Sequence, residues 1–564
     1  MKNLKIFYFF YVFIIATFVI PFAFSGTFFW PTVLSNHRNF FFVLIAGMAL
    51  FSFSSSIRSH IGRYLDFNLE SKLEFKIIAG ISIFYLLSYI KMVLLNYYSF
   101  AVDGIDFAVV DHMLPFTAAG KFMYHTVLGY NHFAIHVTPF LLLLYPIHKF
   151  FSDPHFFLLL HPFVLWSAVI PLYFLMKKMN ISSTYKIIIL FLFFNYNPVI
   201  RVLRYNFHFE VFYIPLFLWV FYFFEIRKWW ALLFTAIIIN TIKEDASLYL
   251  LSTSLALTVL LIMRKTIGKS NLKGIWFLMA AAAVSAAFFY LNFSIIIPAS
   301  RDPSIQTIVM TSIISKYGTT QIGIILGMLT HPLDVLVDVF KSGALKELMC
   351  FLFLPLLTPF HLIATFPQVA ITATSNYFDI RMLLIHYSSA YIPFVFYSFL
   401  LFLNGDSFLP SNITNKQTYA NSLKIAMVLI FILGNSIGSG YIRYNQINSG
   451  YGDFTKIKKL INIDEEFSCI QGPLVPHFKY NYKNGNIKNI AIFTKECLDR
   501  NMNVNMNGNM SVKNYLFNTT LGNYPYSKNE TLEFIKILDD NKNYIRFDVG
   551  EFVLFQDKEI RKWK

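Results

Sequence analysis

The chain has 564 residues, 56% of them hydrophobic and only 14% charged, whereas a soluble domain carries roughly 25% charged residues. Its mean hydropathy of +0.54 excludes an ordinary water-soluble fold, because no single core hides that much apolar surface. A net charge of +16 would point to nucleic acid in a soluble protein. Here many Lys and Arg fall in short loops between apolar runs, where they set membrane orientation, so no nucleic-acid partner is expected.

Apolar runs of about 17–25 residues, the length that crosses a bilayer core, begin at Ile6 and recur as far as Ile437. With Lys2 and Lys5 inside, residues 6–24 lead outward and 40–56 return to Arg58, Arg63, Lys72 and Lys76. Residues 77–95 then deliver the segment 99–136 to the outer side. The short run 137–151 holds Pro139 and Pro146 and reads as a juxtamembrane or re-entrant helix, since a span there would put Lys177 and Lys178 outside. Further spans are expected over 155–176, 187–198, 211–224, 229–242, 246–263 and 275–297.

Both ends of 229–263 are basic, so that stretch reads as a hairpin with Lys243, Glu244 and Asp245 at its vertex. Its first arm has about fourteen residues, roughly 21 Å of helix against a ~30 Å hydrocarbon core. The vertex is therefore expected below the membrane surface, in a water-accessible cavity. Residues 298–347 read as interfacial, and a second hairpin over 348–373 turns at Thr358-Pro359. Runs at 390–403 and 423–437 complete about thirteen transmembrane helices. The predicted architecture is an all-α polytopic membrane domain over 1–440 and a small extracytoplasmic α/β or β-rich module over 441–564. Of the three cysteines, Cys350 lies in an apolar run, while Cys469 and Cys497 fall in the outer tail and could form one disulfide there.

Ionisable groups are costly inside a membrane domain and mark candidate sites. They gather in five places: Asp103, Asp106 and Asp111; His132 and His136; Arg201, Arg204, His208 and Glu210; Lys243, Glu244 and Asp245; and His386 with Tyr387. A topology fixed by basic loops and span lengths puts all five on one side. Ordinary readings compete: solvated or helix-capping aspartates, arginines anchored to lipid phosphate, and a structural ion network at 243–245. Asp106 and Asp111 are about 140° apart on a regular helix. His132 and His136 have metal-ligand spacing but no matched carboxylate, so no residue is assigned to a metal and a divalent ion stays open as a cofactor. A carboxylate beside a low-dielectric wall can act as general base on a hydroxyl, while Arg and Lys neutralise a leaving phosphate.

Several motifs carry a resemblance: Ile105-Asp106-Phe107-Ala108-Val109-Val110-Asp111, His136-Val137-Thr138-Pro139, Asn206-Phe207-His208-Phe209-Glu210, Lys243-Glu244-Asp245, Phe353 to Pro359, and His386-Tyr387-Ser388-Ser389. In their order and spacing the chain resembles the bacterial membrane-protein family known as domain of unknown function 2079, over most of residues 105–394. It departs from that family at His112, where Gln is usual, and at Gln368, where an acidic residue is usual. The family is similar in layout to GT-C-class glycosyltransferases. That similarity implies a GT-C-like enzyme of the inner membrane, taking sugar from a polyprenyl-phosphate donor to an acceptor left open.

The resemblance further implies Asp106 or Asp111 as catalytic base. Arg204, Lys243 or His386 would hold the donor phosphate, and His136, His208, Glu210, Glu244, Asp245 and Tyr387 would complete the substrate site. Two other readings stand beside it: a transporter or flippase for a lipid-linked or anionic substrate, and a non-catalytic scaffold whose C-terminal module binds a partner.

Overall fold

Long apolar segments in this chain fold as helices because a backbone surrounded by lipid must satisfy its hydrogen bonds within the segment. The structure, a computed structural model, describes residues 68–561 apart from 302–315, 410–426, 428–449, 462–467, 479–489, 494–511 and 522–526, with shorter breaks at 103, 119, 121, 126–129, 152, 265–268 and 319–320. Helix α1 (Ser71–Tyr98) leads into α2 (Gly104–Ala118). A small hairpin of β1 (Tyr124–His125) and β2 (Tyr130–Asn131) is followed by α3 (Leu141–Phe150) and α4 (His155–Lys178). Next come α5 (Ser183–Asn195) and α6 (Asn197–Arg204), which meet at a 42° bend, then α7 (Tyr213–Glu225), α8 (Trp229–Asn240) and α9 (Ala246–Met263).

Helix α10 (Lys269–Tyr290) continues through a wider π turn, Leu291–Ile296, into Ile297–Ser300. Helices α11 (Gln321–Thr330), α12 (Pro332–Lys341), α13 (Pro359–Ala364) and α14 (Phe366–Thr374) are short, and α15 (Tyr391–Leu403) is almost entirely buried.

Among the described residues, four helices are long and apolar enough to cross a bilayer: Ser71–Tyr98, His155–Lys178, Ala246–Met263 and Leu272–Ser300. Two bent pairs, α5 with α6 and Phe378–Ser388 with α15, raise the number to six if each pair is one span. About thirteen were expected. The spans predicted at 6–24, 40–56 and 423–437 lie outside the described residues. Those predicted at 211–224 and 229–242 are apolar helices of 13 and 12 residues, about 18–20 Å long.

The second predicted hairpin is corrected: no continuous arms form over 348–373. Left-handed backbone at Leu352 and Phe353 breaks its first half, and Pro355, Pro359 and Pro367 withhold backbone donors. Short turns and the helices α13 and α14 result.

Lipid is as apolar as a leucine side chain, so these helices associate through shape and ring packing. Tyr85 stacks on Phe194 and Phe221 on Tyr397, each with ring centroids 4.3 Å apart. The hairpin predicted over 229–263 is present as α8 and α9. Its vertex is fastened by the Phe140 backbone N–H donating to Thr241 O at 2.9 Å and by Asn240 donating to Ser285 at 3.1 Å.

The C-terminal region is α/β, with a five-stranded mixed sheet in the order β4-β3-β5-β7-β6. Its strands are β3 (Ser468–Ile470), β4 (Ile490–Ile492), β5 (Asn514–Asn518), β6 (Tyr544–Val549) and β7 (Phe552–Asp557). Helix α16 (Tyr451–Lys458) packs on β6 and β7, while α17 (Lys528–Asp539) starts at a capping box made by Ser527 and Glu530. The module's core includes Phe100 and Ala108 of the preceding helical body. It therefore rests on α2, the helix that carries Asp106. Cys469 is disulfide-bonded and Cys350 is free; Cys497 lies outside the described residues.

Candidate functional site

Three parallel helices organise the polar residues. Glu210 precedes α7, Lys243 and Asp245 precede α9, and His386 precedes α15. Their side chains meet, so the N-terminal ends of these helices lie together. Helix N-termini carry partial positive charge, which favours the carboxylates of Glu210 and Asp245 there.

Lys243 donates to Glu210 Oε1 and lies 3.6 Å from Asp245. Tyr213 Oη donates to Asp245 at 2.7 Å. Glu244 turns the other way: it accepts from the Val137 backbone N–H at 3.0 Å and lies 2.8 Å from His136 Nδ1. That clasp ties the hairpin vertex to the segment 136–140.

Burial pushes the Lys243 ammonium down, but Asp245, Glu210 and Glu244 together more than reverse this and hold it well above its ordinary value. Burial pushes Glu210 up to about 8, with Lys243 opposing and Asp245 and Glu244 reinforcing. These carboxylates outnumber the ammonium they surround, so the cluster holds a proton readily.

Two left-handed turns deliver the imidazoles. Asn206 has φ of 71° and Ile385 has φ of 48°. Asparagine tolerates that region, whereas a β-branched residue there is an outlier, of a kind that gathers at functional sites. His208 and His386 consequently stack, with centroids 3.8 Å apart and planes 16° from parallel. Burial, then His386 and Lys243, push the His208 imidazolium well below its ordinary range. Glu210 Oε2 lies 3.8 Å from His386 Nε2 and 4.0 Å from His208 Nδ1.

Asp106 sits in the first turn of α2, partly exposed, and accepts a hydrogen bond from Tyr205 Oη. One possible ligand atom from each of Asp106, His208 and His386 lies within 4.8 Å of the others, the spacing of a group that could hold a cation. The structure thus brings together Asp106, His208, Glu210, Lys243, Asp245 and His386. Glu244 and His136 are joined to them through the vertex. Arg204 and Tyr387 are partly exposed at the ends of adjoining elements.

Asp111 is not part of this group. Helix α2 is regular, so Asp111 points elsewhere and lies buried 3.6 Å from His148 Nε2. Burial pushes its carboxyl up, opposed by His148. Arg201 is held by Glu347 at 2.7 Å, a structural ion pair. The rings of His132 and His136 are 5.7 Å apart. Gln368 is buried and donates to the Tyr387 carbonyl at 3.3 Å, bracing the turn after His386. Asp103 lies outside the described residues.

Tyr205, Tyr213 and Tyr249 were missed from sequence. Tyr205 sits one residue after Arg204 inside a segment already singled out, which is the signal that could have found it. Tyr213 and Tyr249 look like ordinary aromatic helix residues until the fold places them beside Asp245, with Tyr249 Oη 3.5 Å away.

No curated protein matches the sequence. Residues 96–450 match the family described as "Predicted membrane protein (DUF2079)", a segment that contains every residue of the constellation. The chain is a membrane protein of the DUF2079 family.

Proposed function

We propose that the chain is a GT-C-like membrane glycosyltransferase, transferring sugar from a polyprenyl-phosphate donor at the extracytoplasmic face. The carrying observation is Asp106, which is partly exposed, oriented by Tyr205, and set beside a buried group of carboxylates, ammonium and imidazoles. In the step, the acceptor hydroxyl oxygen attacks the anomeric carbon and the bond from that carbon to the phosphate oxygen breaks. The electron pair leaves with the polyprenyl phosphate, and the hydroxyl proton passes to Asp106. Configuration inverts.

Arg204 is the first choice for neutralising the donor phosphate, because it is partly exposed and directly precedes Tyr205, which donates to Asp106, whereas Lys243 is buried between Glu210 and Asp245. Two features support the orientation. Lys177, Lys178, Arg227, Lys228 and Arg264 fall at or just after the C-terminal ends of α4, α7 and α9, and the constellation lies at the opposite ends of α7 and α9, as the positive-inside rule requires of the cytoplasmic side. Disulfides such as that of Cys469 persist in oxidising compartments.

The test is complementation of a deletion strain whose cell-surface glycans are altered. Asp106→Asn should fail to restore them, while Asp111→Asn should restore them at least in part. Full restoration by both variants would refute the mechanism.

A carrier or flippase is the second reading, favoured by the two bent helix pairs that adjoin Arg204 and His386, since discontinuous helices line transport sites. Under that reading Asp106→Asn abolishes lipid translocation, and no sugar is transferred in vitro by the wild type.

A further inference from the structure

Asp106, His208 and His386 come from three separate segments: the first turn of α2, the turn before α7 and the turn before α15. His208 and His386 retain only 7% and 5% of their exposure, and among the described residues neither Nδ1 has a hydrogen-bond partner. A buried polar atom left unpaired is costly, so two stacked imidazoles that each carry one are suited to taking a ligand.

We propose that Asp106, His208 and His386 form a binding site for a divalent transition-metal cation of the zinc or manganese class. The donors are two neutral imidazoles and one carboxylate, a set suited to these ions, whereas magnesium and calcium prefer all-oxygen shells. Ligand atoms around an ion bound at about 2.1 Å stand roughly 3–4 Å apart, and the three groups already lie within 4.8 Å of one another. Small side-chain rotations close the difference.

Glu210 supplies the outer shell. Its Oε2 lies 3.8 Å from His386 Nε2 and 4.0 Å from His208 Nδ1, beside both imidazoles and bonded to neither. Carboxylates in that position orient metal-bound histidines and raise their basicity. The charge balance agrees, because Asp245, Glu244 and Asp106 outnumber Lys243 at this end of the helices. A carboxylate can ligate through one oxygen and keep its bond from Tyr205 at the other. Three protein ligands leave coordination positions open to an oxygen of a bound phosphate or hydroxyl. The site does not depend on the transferase reading, since its first readout is binding.

The test uses the full chain, tag-free in detergent, stripped with a chelator. It is titrated with Co²⁺ as a spectroscopic probe and analysed for bound Zn²⁺ by elemental mass spectrometry. About one cation per chain is expected, with visible Co²⁺ bands showing nitrogen ligation. His208→Asn and His386→Asn should each weaken binding at least about a hundredfold and Glu210→Gln about tenfold, while His132→Asn should bind as wild type does. Asp106→Asn, at a partly exposed position, keeps the test decisive if a buried histidine variant fails to fold, and it too should weaken binding. Absence of saturable binding, or binding lost in His132→Asn and kept in Asp106→Asn, would overturn the site. Cation binding without any glycan phenotype would instead sink the transferase reading alone.

Discussion

Helices α7, α9 and α15 carry charged clusters at both ends, and the two clusters are built differently. At the C-terminal ends, Arg264 donates to both oxygens of Glu225 at 3.0 Å and to both oxygens of Asp406 at 3.0 and 2.8 Å, and Tyr397 Oη donates to Glu225 at 2.5 Å. That cluster is closed: the guanidinium fork is matched to its acceptors, the arrangement in which a buried ion pair holds geometry. At the N-terminal ends, about 27 Å away along the eighteen residues of α9, carboxylates outnumber ammonium and the Nδ1 atoms of His208 and His386 have no hydrogen-bond partner among the described residues. The same helices thus hold a clamp at one end and a site at the other. Burial and charge occur in both clusters; what sets the site apart is incomplete satisfaction.

The comparison can be broken most severely at the clamp. Arg264→Met strands Glu225 beside Asp406 and should cost about 3–5 kcal/mol, read as a lowered Tm in detergent. Adding Glu225→Gln and Asp406→Asn should recover most of that loss and leave activity intact, since nothing there touches substrate. An unchanged Tm in Arg264→Met would remove the clamp from the account.

At the other end the matching neutral pair, Glu210→Gln with Lys243→Met, should likewise cost less stability than Lys243→Met alone. Activity should not return. Recovery of both properties would make the N-terminal cluster a second clamp.

Asp106→Asn should reverse the balance of effects, lowering transfer at least about a hundredfold while shifting stability by under about 1 kcal/mol. Tyr205→Phe is the mildest change. Removing one hydrogen bond to Asp106 should reduce turnover by up to about tenfold with the Tm nearly unchanged, and equal loss of both would mark Tyr205 as a packing residue.

The constellation was largely legible in the sequence because ionisable residues stand out against apolar runs. Glu210, Lys243, Asp245 and His386 fall on one side from basic loops and span lengths, and the hairpin at 243–245 follows from charge at both ends of 229–263. The clamp was not legible. Arg264, Glu225 and Asp406 are spread over 182 positions at span ends, where charge is ordinary, and only the parallel packing of three helices unites them. The separation of Asp111 from Asp106 was open in sequence because the two are about 140° apart only if the helix is regular; a regular α2 resolves it. The second hairpin does not form because Pro355, Pro359 and Pro367 and left-handed backbone at Leu352 and Phe353 interrupt a run whose composition is apolar throughout. The seat of the C-terminal module on Ala108 of α2 and on Phe100 just before it, against Phe454 and His477, joins regions far apart in the chain and left no local pattern.

Mass spectrometry of lipids retained by the purified protein asks whether a lipid phosphate binds at the N-terminal cluster, as proposed above. Wild type should retain a polyprenyl phosphate or its sugar conjugate, and Arg204→Ala should lose it while keeping bulk phospholipid. Bulk phospholipid alone in both samples would contradict the account.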